Sequence, residues 1–229
     1  MLQVITSPPS LRRSQCMLSR RQGVLTDLEL VKMKVCMVGE AAVGKSSVVR
    51  RFVLDIFNEA YAATLGARVT KRELHFRGLE VDRHVRVDMT LWDIMGERFV
   101  RDELRESYLL GAQGVIAVAD IARPSTLDAL ETWVEWVRGA VGDVPVVYAV
   151  NKIDLLPELM RRPSDEEIEH VFGMKEVFWF YTSAKTGQGI EGLFTAVSKQ
   201  VLAEVLDYQI QPLSGEPRPS HATVEYHGA

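Results

Sequence analysis

Cysteine is scarce: Cys16 and Cys36 are the two in 229 residues. Two thiols cannot build a disulfide framework, and Cys36, set in an apolar run, is expected to pack as a small hydrophobe. No apolar stretch approaches the roughly 18 residues of a membrane span, and no segment has the apolar core of a secretory signal. The chain therefore reads as cytoplasmic. Surplus positive charge is missing too, with 27 Lys and Arg against 31 Asp and Glu and a net charge of −4. That balance argues against a chain built to coat nucleic acid or an anionic membrane, and no nucleic-acid partner is expected. The five histidines show no metal-ligand spacing. No internal repeat is visible. Acid is absent before Asp27, while Pro8, Pro9, Arg12, Arg13, Arg20 and Arg21 all fall there. Residues 1–30 are accordingly expected to form a mobile tail, with an organelle-targeting peptide as the alternative and Met33 as a position from which a compact domain can begin.

What is present is a core. Hydrophobic residues make up 47% of the chain, enough for one sizeable domain, placed at 31–206, with a polar, proline-bearing tail over 207–229 expected to be disordered. The stretch VCMVGEAAVGKSS organises that domain. An apolar run (Val35, Cys36, Met37, Val38) stops at Gly39, and Gly44-Lys45-Ser46 opens a helical pattern, which gives strand, glycine-bounded loop and helix. A phosphate chain is bound mainly by backbone N–H groups curled around it at a helix N-terminus, where peptide dipoles already favour an anion. Gly39, Glu40, Ala41, Ala42, Val43 and Gly44 supply the loop and Ser47 follows it. Lys45 reaches the outer phosphates, and the Ser46 hydroxyl is placed for Mg²⁺.

Downstream, residues 68–76 and 84–92 alternate and read as an antiparallel hairpin. The second stretch ends in Asp93, with Gly96 three residues on. A carboxylate at a strand's C-terminal end can hold Mg²⁺, and the glycine lets a backbone N–H turn toward a terminal phosphate. Strands and helices then alternate. Apolar runs over 115–121, 144–150 and 177–181 read as buried strands. A helix from Pro124-Ser125 carries Leu127, Leu130, Val134 and Val137 at helical spacing, with Trp133 and Trp136 assigned to core packing. Ser164 and Glu167 have the spacing of a capping box, and 190–205 makes the closing helix. The second and third of these strands end in Asn151-Lys152-x-Asp154 and Thr182-Ser183-Ala184-Lys185. A carboxylate can accept both the N1–H and the N2–H of guanine, a donor pair adenine lacks, so Asp154 selects guanine. The Asn151 amide can hold the N7 edge, the Lys152 stem can cover the ring, and the Ala184 N–H can reach O6. Four short motifs thus fall at the C-terminal ends of strands, where open α/β sheets bind ligands.

With these motifs in hand, residues 32–205 resemble the Ras-like small GTPases, the Rab branch in particular, through Tyr61-Ala62-Ala63-Thr64-Leu65-Gly66 and Trp92-Asp93. The resemblance implies an α/β P-loop NTPase three-layer sandwich: a six-stranded, mostly parallel sheet with one antiparallel strand and about five helices. It implies GTP or GDP with Mg²⁺ as ligands, Ser46, Thr64 and Asp93 as metal-holding residues, and Lys45, Thr64, Gly96 and Glu97 as the catalytic set. Phe57 would pack on the guanine, and Ser183, Ala184 and Lys185 would form the base loop. It further implies a monomeric signalling switch read by effector, exchange-factor and GTPase-activating proteins through residues 57–68 and 94–106. Three departures stand out. Where the family has glutamine after the glycine this chain has Glu97-Arg98-Phe99, which either replaces the glutamine or deletes it, Ala41 and Ala42 stand where Ras proteins often have glycine, and residues 225–229 contain no cysteine, so no prenyl anchor is expected and membrane attachment would go through the N-terminal tail or a partner. A GTP-hydrolysing switch is the leading expectation, a pseudo-GTPase scaffold on the same fold the alternative, and an ATPase a distant third.

Overall fold

The computed structural model describes residues 14–19, 26–58, 66–79, 83–94, 107–159, 163–171, 177–206, 209–212 and 224–227. Their strands are β1 (Ser14–Ser19), β2 (Thr26–Val38), β3 (Ala67–Gly78), β4 (Arg83–Ile94), β5 (Gly114–Asp120), β6 (Val146–Asn151), β7 (Phe178–Tyr181), β8 (Ile210–Pro212) and β9 (Val224–His227). The helices are α1 (Lys45–Leu54), α2 (Ser125–Val141), α3 (Asp165–Val171) and α4 (Ile190–Val205), with a 3₁₀ turn at Ile153–Glu158. All nine strands join one sheet whose main order is β7-β6-β5-β2-β4-β3-β8.

Period-two alternation splits the strands between two cores. On β2, Val31, Met33, Val35 and Met37 face α1 and α4, together with Ile116 and Val118 of β5 and Phe194 and Val197 of α4. Cys36 and Val38 face the opposite way, with Val115, Ala117 and Ala119 of β5, Leu127, Leu130, Val134 and Val137 of α2, and Ile168 of α3. The result is the expected three-layer sandwich. Every residue of β5 is buried, as a central parallel strand covered on both faces requires. Cys36 is fully buried with its thiol near the Tyr108 carbonyl, and burial pushes that thiol up to about 12 although Lys34 opposes the shift. Trp133 is buried and Trp136 packs beside it, edge to face at 5.7 Å, which is the core role expected of both. The capping box is present: Ser164 N–H donates to Glu167 Oε2 at 2.9 Å and Glu167 N–H donates to Ser164 Oγ at 3.1 Å.

The hairpin is antiparallel in a continuous register from Ala67↔Ile94 to Arg77↔His84, while β2 runs parallel to both β4 and β5. Two expectations need correction. The sheet holds the six expected strands, β2 to β7, and three more at its margins, each antiparallel to its neighbour. Those three, and the first residues of β2, come from stretches expected to be unstructured tails. The physical reason is the open edges of β2 and β3: their unpaired N–H and C=O groups are templates for any nearby extended segment. Ile210 adds burial to that pairing, because its side chain enters the α1/α4 core.

Candidate functional site

The loop after β2 is shaped by what crowds it. Gly39 has φ of 133° and a Cβ there would overlap the Val118 carbonyl oxygen of β5, while Gly44, at φ 100°, would collide with the Asn151 amide. Both positions require glycine for conformation and for space. Between them Ala42 sits at φ 60°, a left-handed conformation that costs an L-residue roughly 1 kcal/mol. Ala42→Gly should therefore raise unfolding stability by at most about 0.5 kcal/mol after the entropy of the added glycine is subtracted. Denaturant titration checks this, and a loss of stability would show that the Ala42 side chain makes a contact outweighing the strain.

Lys45 begins α1 almost fully buried, and its ammonium donates to the carbonyls of Gly39 at 2.9 Å and Glu40 at 2.8 Å. The chain thus returns over its own loop and holds a positive charge there. Val43 is fully buried, and Ser46 and Ser47 occupy the first turn of α1, part-buried. Glu40 points sideways, accepting from Trp133 Nε1 at 3.3 Å.

Across the sheet, β6 delivers Asn151, 1% exposed. Its Nδ2 donates to the Val43 carbonyl at 3.0 Å, and its Oδ1 accepts from Thr182 Oγ1 at 3.2 Å and from Ala184 N–H at 3.3 Å. Asn151 therefore ties the phosphate-type loop to the Thr182–Ala184 turn with the second hydrogen of its amide left over. Lys152, left-handed at φ 67°, turns its ammonium to the Ala42 carbonyl and to Asp120 Oδ2, each at 2.7 Å. Asp154 Oδ1 accepts from Ser183 Oγ at 2.6 Å, which fixes the rotation of the carboxylate. Lys185 is exposed beside them. These residues, expected to act together, are adjacent. Phe57 is half-buried against the α1/α4 core, and Thr64, Gly96 and Glu97 lie outside the described residues.

Asp93, next to last in β4, is 1% exposed, and neither carboxylate oxygen has a hydrogen bond of regular geometry. Burial raises its pKa, opposed first by the Ser46 hydroxyl and then by the charges of Lys45, Arg68 and Arg50. A cavity of about 320 Å³ lined by Ser46, Arg50, Arg68 and Thr70 opens beside it. A buried carboxylate lacking a hydrogen bond of regular geometry and facing the Ser46 hydroxyl is a set of hard oxygen donors, and it fits a divalent cation of the Mg²⁺ class.

Three site residues were not identified from the sequence. Asp120 collects Lys152 and Arg123, Arg123 reaches Ala41, and Arg51 of α1 donates from Nε to the Ala184 carbonyl at 2.7 Å and from Nη2 to the Lys185 carbonyl at 2.5 Å. The one available signal was an acid at the C-terminal end of a buried strand, as at Asp93.

A sequence model of the Ras family matches residues 34–203, which span the loop, Asp93, the Asn151 to Asp154 segment and the closing helix. The chain belongs to the Ras family. Its relatives place it in the Rab branch. Ras-related protein Rab-32B of Dictyostelium discoideum is 31% identical over 208 residues, 87% of this chain and 74% of that protein. GTP-binding protein ypt5 of Schizosaccharomyces pombe is 31% identical over 175 residues, covering 76% and 80%. Ras-related protein Rab-18 of Caenorhabditis elegans is 30% identical over 175 residues, covering 76% and 81%. This Ras-family protein is a small GTP-binding switch of the GTPase class, and the family works through guanine nucleotide, typically Mg²⁺, and regulatory and effector proteins. Among the described residues no helix is long and apolar enough to cross a membrane.

Proposed function

We propose that this small GTPase binds GTP and GDP with Mg²⁺, hydrolyses GTP slowly, and changes the order of residues 57–68 and 94–106 between the two states. It acts as a monomer in the cytoplasm and reaches membranes through a partner. The observation that carries the reading is the buried Asp93 carboxylate without a regular hydrogen bond, set beside Ser46 and the buried Lys45 at the mouth of a glycine-bounded loop. Ser46 and Asp93 would hold the cation with Thr64 as the further ligand, and the ion would supply charge that offsets the phosphates. The N–H groups of residues 40–45 bind the phosphate oxygens, and the Lys45 ammonium leaves the Gly39 and Glu40 carbonyls' vicinity only as far as the outer phosphates require. Asp154, held by Ser183, accepts from guanine N1–H and N2–H, and Ala184 N–H is shared between Asn151 and O6.

Hydrolysis depends on Glu97. The family's glutamine can accept from water while donating to phosphate, whereas a carboxylate only accepts. At ~4 Å from one phosphate charge an ionised Glu97 is repelled by about 4 kcal/mol at an effective dielectric near 20, less the screening by the cation and Lys45. A carboxylate brought there would turn away or take up a proton, and water would be poorly oriented in both cases. The test is the nucleotide carried by the purified protein, followed over hours for conversion of GTP to GDP. Glu97→Gln should raise the single-turnover rate several-fold. If Glu97→Gln and Glu97→Ala both slow the reaction, Glu97 is a general base and the slow-hydrolysis reading fails. A chain that retains GTP unchanged, with and without the Gln substitution, is the pseudo-GTPase scaffold.

A further inference from the structure

Arg123 stands outside every motif that the nucleotide reading uses, yet it touches the phosphate-binding loop. Its Nε donates to Asp120 Oδ2 at 3.0 Å and its Nη2 to the Ala41 carbonyl at 2.8 Å. The base of the side chain is fixed as well. Arg123 N–H donates to the Asp120 carbonyl at 2.9 Å, and Thr126 Oγ1 accepts from Asp120 N–H at 2.9 Å and donates to the Arg123 carbonyl at 2.7 Å. Lys152 mirrors it from the other flank, bonding the same Asp120 oxygen and the next loop carbonyl, that of Ala42. Two successive loop carbonyls are thus each held by a cation, and both cations are anchored on one carboxylate whose side chain is 3% exposed.

The consequence follows from the planarity of the peptide. In a trans peptide the C=O of one residue and the N–H of the next point in opposite directions. Drawing the Ala41 carbonyl toward Arg123 therefore turns the Ala42 N–H the other way, and drawing the Ala42 carbonyl toward Lys152 does the same for the Val43 N–H. Ala42, which lies between the two bonds, is the residue at φ 60°. A left-handed alanine persists only where its surroundings over-determine it, and these two cations are those surroundings. We propose that Arg123 is a positioning residue: by holding the Ala41 carbonyl it keeps the loop's N–H groups aimed at the phosphates and lengthens the lifetime of bound nucleotide. This rests on the guanine-nucleotide reading above and adds a determinant to it.

The test is release of a fluorescent GDP analogue from the full chain in Mg²⁺. Arg123→Ala removes a charge-assisted bond to the loop, and release should accelerate roughly tenfold. Arg123→Lys keeps the charge but can make only one of the two contacts, and its rate should fall between the two. Ala42→Gly separates loop positioning from general loosening of the start of α2. Glycine accepts φ 60° without help, so Arg123→Ala should accelerate release less in the Ala42→Gly background than in the wild type. Arg123→Ala that lowers the melting temperature but leaves release unchanged, or that accelerates it equally in both backgrounds, overturns the proposal. Wild type that fails to retain the analogue at all would sink the nucleotide reading itself, a result distinct from retention with no effect of Arg123.

Discussion

Asp154→Asn is expected to weaken GDP binding by about 4 kcal/mol, roughly a thousandfold, and to bring xanthosine diphosphate into range as a ligand. The structure makes this a clean exchange. Ser183 Oγ bonds Asp154 Oδ1 at 2.6 Å and itself accepts from Thr186 N–H at 3.1 Å, and an asparagine oxygen can take the same place. What changes is the other end of the side chain. An amide N–H would face guanine N1–H and N2–H, so that donors meet donors and buried groups go unpaired. Xanthine carries an oxygen at C2 and offers that amide an acceptor. Calorimetry with both nucleotides reads the switch. Wild type that binds ADP as tightly as GDP would refute the assignment of Asp154.

A second large effect is expected at Asp93, with opposite signs in two conditions. Burial raises the pKa of this carboxylate, so the folded protein without metal bears the cost of a charge that water would solvate better. Asp93→Asn removes the charge and should stabilise the metal-free protein by about 1 to 2 kcal/mol. In Mg²⁺ the same substitution should accelerate GDP release about a hundredfold and abolish its dependence on Mg²⁺ concentration, because a neutral amide is a poor ligand for a hard cation. Melting curves in chelator and release rates across a Mg²⁺ titration read the two arms. Retention that still depends on Mg²⁺ after the substitution would remove Asp93 from the metal site.

The parts of this protein that were legible in its sequence are those written locally. The loop from Gly39 to Gly44, the Asn151 to Asp154 segment and the Thr182 to Lys185 segment each carry their residues within a few positions, and the alternation along β3 and β4 set the hairpin before its register was known. The buried runs 115–121 and 144–150 became β5 and β6 because continuous apolar sequence has no other place in a sandwich covered on both faces. What stayed hidden depends on partners far along the chain. Arg51 finds Ala184 across 133 positions and Arg123 finds Ala41 across 82, and nothing near either arginine announces the meeting. The marginal strands were illegible for the same reason. The segment Ile210–Pro212 is too short to show a period, and only the open edge of β3 and the buried seat for Ile210 give it a conformation. Ala42 is a different case: its identity argued against a left-handed turn, and two cations anchored elsewhere overrode that preference.

The strand β8 also bears on how these molecules behave in company. It lies against the outer side of β3, pairing Gly78 with Ile210, Arg77 with Gln211 and Phe76 with Pro212, and its Gln211 and Pro212 are exposed. A neighbouring chain seeking to extend the sheet at that point meets a template three residues long, one of which is a proline with no N–H to offer. Pairing edge to edge is disfavoured there by the Ile210–Pro212 segment of the same chain. A chain cut after α4 would instead leave Phe76 to Gly78 of β3 without the β8 pairing, and crowding would then favour precipitation.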